Sequence, residues 1–377
     1  MHSLTTSDVK NQNKSNILSF IYSNRTTTQQ MICEYLNLSR PTVIRIIKEL
    51  EEGSFITKNG FFDSTGGRKA NAITFSSSCR IAIGVEIVKQ SFEIVALNLY
   101  GEILKSQTHF IPFSNQESYF STVCNHINHF IQNLNLEKLS ILGIGIALQG
   151  LISSDGTQVI YGKILNCTGL TIEHFTKYLP YPCTFVHDAE SAALSELWVS
   201  PQLQDAIFIH IRSDISGAVI VNRQFLPGRE LKSGVFEHMQ IIPDGKPCYC
   251  GQNGCFNAYC STHALLITGE SLDSFFRGLR QRDPAKEKRW DTYLHYLSLA
   301  LNNLHMFTDF DIILGGTISR YLCEEDIVQL SNKITKITAF PTNRRFIQIS
   351  RNPDFPISRG AALPYVHNYL ETIISRV

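Results

Sequence analysis

The chain has 377 residues, 43% hydrophobic and 18% charged, an ordinary globular balance in a length that calls for two or three domains. Its 34 Lys and Arg against 33 Asp and Glu give a net charge of +1, which excludes a protein drawn as a whole to nucleic acid or membrane by its field. The surplus is local: the first 75 residues hold nine basic and six acidic side chains, leaving the remainder slightly acidic. The polar opening from Met1 to Lys10 is no secretion signal, and the most apolar run, Ile141 to Ile152, is too short to span a bilayer. Ten cysteines without such a signal point to reduced thiols and a cytoplasmic location.

In chain order, Ile17, Leu18, Ile21 and Tyr22 recur at helical spacing over 15–22, and Met31, Ile32, Tyr35 and Leu36 do so over 28–36. Ser39 is a good N-cap for a third helix, Pro41 is tolerated in its first turn, and Gly53 suits its end. Val43, Ile46, Ile47 and Leu50 form one buried stripe there, which leaves Arg40, Thr42, Arg45 and Lys48 on the other side. Short strands are expected at 55–58 and 72–75, around a tip that carries Arg68 and Lys69. Helix, turn, basic helix and wing together predict a winged helix-turn-helix domain over 1–76 that binds double-stranded operator DNA. Ser39, Arg40, Thr42 and Arg45 are the expected contacts at the helix start and base edges. Lys48 would meet the backbone, and Arg68 and Lys69 phosphates or a minor groove. A small helical bundle with solvated charges is the bland alternative.

After a polar joint at 76–79, the pattern turns to strands at 81–85 and 92–99, a helix at 117–134, strands at 142–148 and 183–187, and a helix from Asp188. Further strands follow at 206–211, 218–221 and 312–314, so the body reads as α/β in two related lobes. The first lobe is expected over 80–198 with about 360–377, the second over 199–359. Within the second, His238, Cys248, Cys250 and Cys255 follow the order His-x9-Cys-x-Cys-x4-Cys, with Gly251 and Gly254 inside the turn. A Cys₃His set matches the tetrahedral N/S preference of zinc, and four protein ligands leave no open position, so a structural ion is expected. Cys33, Cys79, Cys124, Cys167, Cys183 and Cys323 read as packing residues, and Cys260 is not needed as a fifth ligand.

The order of these pieces resembles the ROK family (repressors, open reading frames, kinases), on the actin-like, ribonuclease-H-like fold. The resemblance covers essentially the whole chain, and Pro247 to Cys255 with His238 looks like the family's zinc signature. Leu38 to Leu50 looks like the DNA-reading element of its repressor branch. The kinase motifs of the family are altered here. Its first phosphate turn, Asp-x-Gly-x-Thr, is Glu86-Ile-Val88-Lys-Gln90, and its second is Arg212-Ser-Asp214-Ile-Ser216-Gly217. Gly315-Gly316-Thr317 stands near the expected adenosine region. Asp188 occupies the family's base position but is read as vestigial, with His187 before it. Val235 replaces the first acid of Glu-x-Gly-His, and Asn257 the acid of Gly-Cys-x-Glu.

The resemblance with these departures implies a regulator, not an enzyme, most simply a repressor of carbohydrate uptake or metabolism genes. A sugar or sugar-phosphate effector is expected between the lobes around Gly150, His187, Asp188, Gly234 and His238, or a sugar-transport protein as the controlling partner. One reading helix covers few base pairs, so a homodimer or homotetramer is expected. The alternative is a ROK sugar kinase with an accessory DNA-binding domain.

Overall fold

The computed structural model describes residues 6–58, 60, 71–134, 140–340, 345–351 and 354–374. The chain begins with α1 (Thr6–Asn24), β1 (Thr26–Thr27), α2 (Gln29–Leu36), α3 (Arg40–Glu52), β2 (Ile56–Thr57) and β3 (Ile73–Phe75). The three strands form an antiparallel sheet in the order β1-β3-β2. Local chemistry fixes the ends of the helices. The Thr28 hydroxyl accepts from Met31 N at the start of α2, and Asn37, with φ 50°, closes it in the left-handed region. Ser39 caps α3, and Val43, Ile46, Ile47 and Leu50 are its buried residues, as the stripe predicts. By contrast, α1 starts at Thr6 rather than Ser15. Its first turns expose Val9 and are tied down by a Lys10–Glu49 ion pair (2.8 Å) and a Gln12–Asn16 hydrogen bond, contacts that leave no apolar period to read.

The body opens with β4 (Arg80–Val88), β5 (Ser91–Leu97), β6 (Ile103–His109), α4 (Glu117–Gln132) and β7 (Ser140–Leu148). The ribbon of β8 (Leu151–Ile152) and β9 (Val159–Tyr161), a short α5 (Glu173–Thr176), β10 (Cys183–His187) and α6 (Asp188–Val199) follow. The second half runs β11 (Ala206–Ile211), β12 (Ile215–Val221), β13 (Gln224–Phe225), α7 (Asn257–Cys260), α8 (Thr262–Leu265) and α9 (Leu272–Arg280). It continues through α10 (Pro284–Thr308), β14 (Asp311–Gly315), α11 (Glu324–Thr335) and β15 (Ile347–Ile349) to α12 (Pro356–Ile373). One sheet has the order β6-β5-β4-β7-β10 and the other β13-β12-β11-β14-β15, with antiparallel and parallel pairs in matching places. Two lobes of one plan, as the repeated pattern implies, are therefore present.

Side-chain alternation assigns the faces. Ile81, Ile83, Val85 and Ile87 of β4 point into the core beneath α4, and Ile207, Ile209 and Ile211 of β11 into the core beneath α9, α10 and α11. The other faces look towards each other across α6 and α12, where Ala147, Ala192, Ala193, Phe208, Ile313 and Ala361 share one core. Glycine lets α12 lie directly on the first sheet: a Cβ at Gly84 or Gly145 would overlap the carbonyl of Ser358 or Ala361. Among the described residues no helix is long and apolar enough to cross a membrane.

The N-terminal domain is not loosely tethered. Ile17, Ile47, Ile56 and Phe75 lie in the same core as Val95, Leu97, Leu99 and Leu363. Tyr22 stacks on Tyr100 (4.8 Å) and donates to Leu99 O, while Tyr100 donates to Tyr22 O. Arg25 covers the Tyr100 ring at 4.3 Å and pairs with Glu102 at 2.7 Å. The polar joint at 76–79 is thus a short turn inside a shared interior, because hydrophobic burial reaches across it.

Candidate functional site

Of the residues expected to face DNA, Arg40, Thr42, Arg45 and Lys48 lie on α3 and Ser39 caps it. Ser39 Oγ accepts from Thr42 N and lies 2.9 Å from Thr42 Oγ1, so both hydroxyls are engaged at the helix start. Arg40, Arg45 and Lys48 are exposed. Lys48 sits 3.8 Å from Glu52, and neither Arg40 nor Arg45 makes an ion pair among the described residues. Met31 and Tyr35 of α2 and Ile44 of α3 are exposed as well. Arg68 and Lys69 lie outside the described residues.

The histidine and cysteines of the second lobe converge. The ligand atoms of His238, Cys248, Cys250 and Cys255 all lie within 4.8 Å of one another. Cys248 Sγ is 3.7 Å from His238 Nδ1, and Cys250 Sγ is 3.7 Å from Cys255 Sγ. A tetrahedral ion with metal–sulfur bonds of about 2.3 Å spaces its ligands by about 3.5–3.8 Å, so this cluster could hold a metal ion. Backbone hydrogen bonds and two glycines shape the loop. Cys248 N donates to Gln252 O, Gly251 N to Cys248 O, and Gln240 bridges to Cys255. Gly251 and Gly254 have φ 99° and 81°, and a Cβ at Gly254 would overlap Ile242 O.

Between the lobes lies a cleft of about 930 Å³. Gly150, His187, Asp188 and His238 line it, whereas Gly234 does not. Gly234 instead has φ 90° and lies where a Cβ would meet Gly217 O at 2.7 Å, so it serves close backbone approach. Asp188 is the buried first residue of α6. Its Oδ1 is 3.5 Å from His187 Nε2 and its Oδ2 accepts from Ser216 Oγ at 3.5 Å. Burial raises the Asp188 carboxyl, opposed by His187 and Arg212. Glu237, in the 3₁₀ turn Phe236–His238, also lines the cleft, and its buried Oε2 has no hydrogen-bond partner among the described residues. Burial, aided by Asp188 and Asp214, pushes the Glu237 carboxyl up to about 8. Motif comparison passed over Glu237 because it fills the glycine position of Glu-x-Gly-His. Leu151, Tyr161, Leu231 and Tyr249 were also passed over, since walls from separate loops have no sequence spacing in common.

Deeper between the sheets, Arg212 Nη1 donates to Glu86 Oε1, an ion pair that joins the first strand of one lobe to the turn after the first strand of the other. Burial would lower the Arg212 guanidinium, but Glu86 overrides it and raises it. In the second turn, Asn257 Oδ1 accepts from Ile215 N at 2.7 Å and its Nδ2 donates to Asp214 Oδ1 at 3.0 Å. Glu86 and Asp214 are thus both held by groups of the chain itself. Gly316, with φ 85°, packs on Ile211, where a Cβ would overlap backbone.

A family model described as winged helix-turn-helix DNA-binding matches residues 10–57, and one described as ROK family matches residues 82–355. The xylose repressor of Bacillus spizizenii is 25% identical over 261 residues, 68% of either chain. The DNA-binding transcriptional dual regulator NagC of Escherichia coli K12 is 26% identical over 257 residues, 67% of this chain and 63% of that protein. A ROK family transcriptional regulator described as a homolog of the E. coli MLC protein shares the fold with a TM-score of 0.73 at 19% identity, over 96% of each chain. A ROK family glucokinase from Streptomyces griseus, solved with glucose and AMPPNP, has a TM-score of 0.67 at 18% identity over 75% of this chain and 98% of that one. With a winged helix joined to a duplicated α/β body, and a family model spanning well over half its length, the chain belongs to the ROK family.

Proposed function

We propose that this ROK protein is a DNA-binding transcriptional repressor of sugar-uptake or sugar-metabolism genes, with an effector held in the inter-lobe cleft. The observation that carries the reading is the exposed cationic face of α3, Arg40, Arg45 and Lys48, on a capped helix in a winged helix-turn-helix domain. It is supported by the names of the xylose repressor and of NagC, both relatives over about two thirds of this chain. Arg40, Thr42 and Arg45 are assigned to base edges, Lys48 and the capping Ser39 to the backbone, and Arg68 and Lys69 to phosphates or a minor groove. A homodimer on a two-fold operator follows from the few base pairs that one helix reads.

Kinase chemistry is not part of the proposal. Phosphoryl transfer needs backbone turns open to phosphate oxygens. Here Glu86 and Arg212 pair across the first turn, and Asp214, held by Asn257, puts a carboxylate in the second. Asp188 is assigned to effector binding and not to catalysis. We assign the Cys₃His cluster to structural zinc: with four protein ligands the ion would brace the loop beside the cleft and supply no reactive water. A sugar-transport protein acting on the same body is the other possible source of control, and it is favoured only if no saccharide binds.

Gel-shift titration with DNA from the flanks of this chain's own coding region and of nearby sugar genes tests the main reading. An Arg–base contact is worth about 1–3 kcal/mol, so Arg45→Ala should weaken specific binding by roughly 5- to 150-fold with little change in melting temperature. Unchanged affinity would remove α3 from the interface.

A further inference from the structure

Glu237 stands two residues past the position where the ROK pattern has its acid and this chain has Val235. Its Oε2 is buried and lacks a partner among the described residues, and Glu237 lines the same cleft as Asp188. Buried acceptors are nearly always hydrogen-bonded, so such an oxygen points to a donor that comes from a ligand. Asp188, Glu230 and Glu237 share the lining with Lys163, Arg229 and Lys232, so the cleft carries charge of both signs. Leu151, Ile160, Tyr161, Leu231 and Tyr249 form a partly aromatic, apolar surface, and Ile160 and Tyr161 remain 48% and 49% exposed. The volume of about 930 Å³ lies near the top of the range of about 300–1,000 Å³ that houses drug-sized ligands. One pyranose would leave much of it to water.

We propose that the effector is a saccharide longer than one sugar unit, a disaccharide or a glycoside with an apolar aglycone, bound through Glu237. Hydroxyls of the inner ring donate to Glu237 and Asp188, and the outer unit lies on Ile160, Tyr161 and Leu231. Sugar rings have hydroxylated edges and apolar faces, so one ligand satisfies both the unpaired oxygen and the exposed wall. Glu237 thereby supplies, from a different backbone position, the acid lost at Val235. This inference rests on the reading of the cleft as the effector site.

Titration calorimetry of the full chain tests it with glucose, xylose, maltose, cellobiose and para-nitrophenyl β-glucoside. At least one larger probe should bind at least about tenfold tighter than either monosaccharide. Glu237→Gln should weaken that probe by at least about tenfold while keeping the melting curve and metal content. Should Glu237→Gln fail to fold, Tyr161→Ala serves: it should weaken the larger probe and leave any monosaccharide binding unchanged. Monosaccharides that bind as tightly as the larger probes would overturn this inference alone and leave the cleft as an effector site. So would wild-type affinity in a folded Glu237→Gln. Failure of every probe to bind would overturn the effector reading together with it.

Discussion

Glu86 and Glu93 face each other across β4 and β5, and a charge balance between them sets a local cost. Arg212 pairs with Glu86, while Glu93 Oε1 accepts from Ser358 Oγ at 2.6 Å. Burial, then the neighbouring Glu86, pushes the Glu93 carboxyl up to about 7, with Ser358 and Arg212 opposing. A carboxyl raised in the folded state holds its proton where the unfolded chain has lost it. The stability it contributes is complete below the unfolded value of about 4.3 and is lost as pH rises through the folded one. Glu93→Gln should flatten the decline in melting temperature between about pH 5 and pH 8 and leave the variant at least as stable as the parent at the upper end. Parallel declines in the two proteins would place the titrating group elsewhere. Spacing on one strand showed neither the Glu86–Glu93 pair nor Arg212, which arrives from a residue 126 positions away.

Among the elements, the loop from Cys248 to Cys255 is the most completely specified by its own residues. Cysteine and histidine set the donors, and two glycines supply the left-handed turns that bring the donors together. Structural zinc contributes about 10–16 kcal/mol in small metal-dependent peptides, so removing one of four ligands should loosen this part of the second lobe. Cys255→Ser is expected to lower both the bound zinc, measured by elemental analysis, and the melting temperature, measured calorimetrically. Zinc content and melting temperature that match the parent would show the loop standing on its hydrogen bonds alone. The closing helix, α12, was specified far less by its own residues. Pro364 interrupts its donors, yet the helix continues because Gly84, Gly145 and Gly360 let it settle against the first sheet and α6. Tertiary packing overrides local propensity there.

At the scale of the whole molecule, the DNA-binding domain and the first lobe are one mechanical unit. Tyr22, Arg25, Phe75 and Tyr100 interlock, and the core beneath them is continuous. Any change in the angle between lobes would therefore carry α3 with it, and a ligand in the cleft alters that angle only by binding one arrangement better than another. Scanning calorimetry should show the winged helix unfolding together with the first lobe. Tyr100→Ala, which removes the stacked ring and its hydrogen bond, should cost about 2–4 kcal/mol and split off an earlier transition for residues of the N-terminal domain. A separate early transition already in the parent protein would argue against the shared core.

The sequence by itself determined the winged helix, the two-lobed α/β plan and the members of the cysteine-histidine cluster. Each rests on local signals: helical spacing at Val43 to Leu50, the cap at Ser39, and donors close together in the chain at 238–255. Family motifs added the position of the cleft, with His187 and Asp188 at one wall. Only the tertiary structure decided that Arg212 pairs with Glu86, that Asn257 holds Asp214, that Gly234 packs instead of lining the cleft, and that Glu237 lines it with a buried oxygen unpaired among the described residues. Those contacts join residues far apart in the chain. Burial and backbone approach select them, and neither leaves a period or spacing in the sequence.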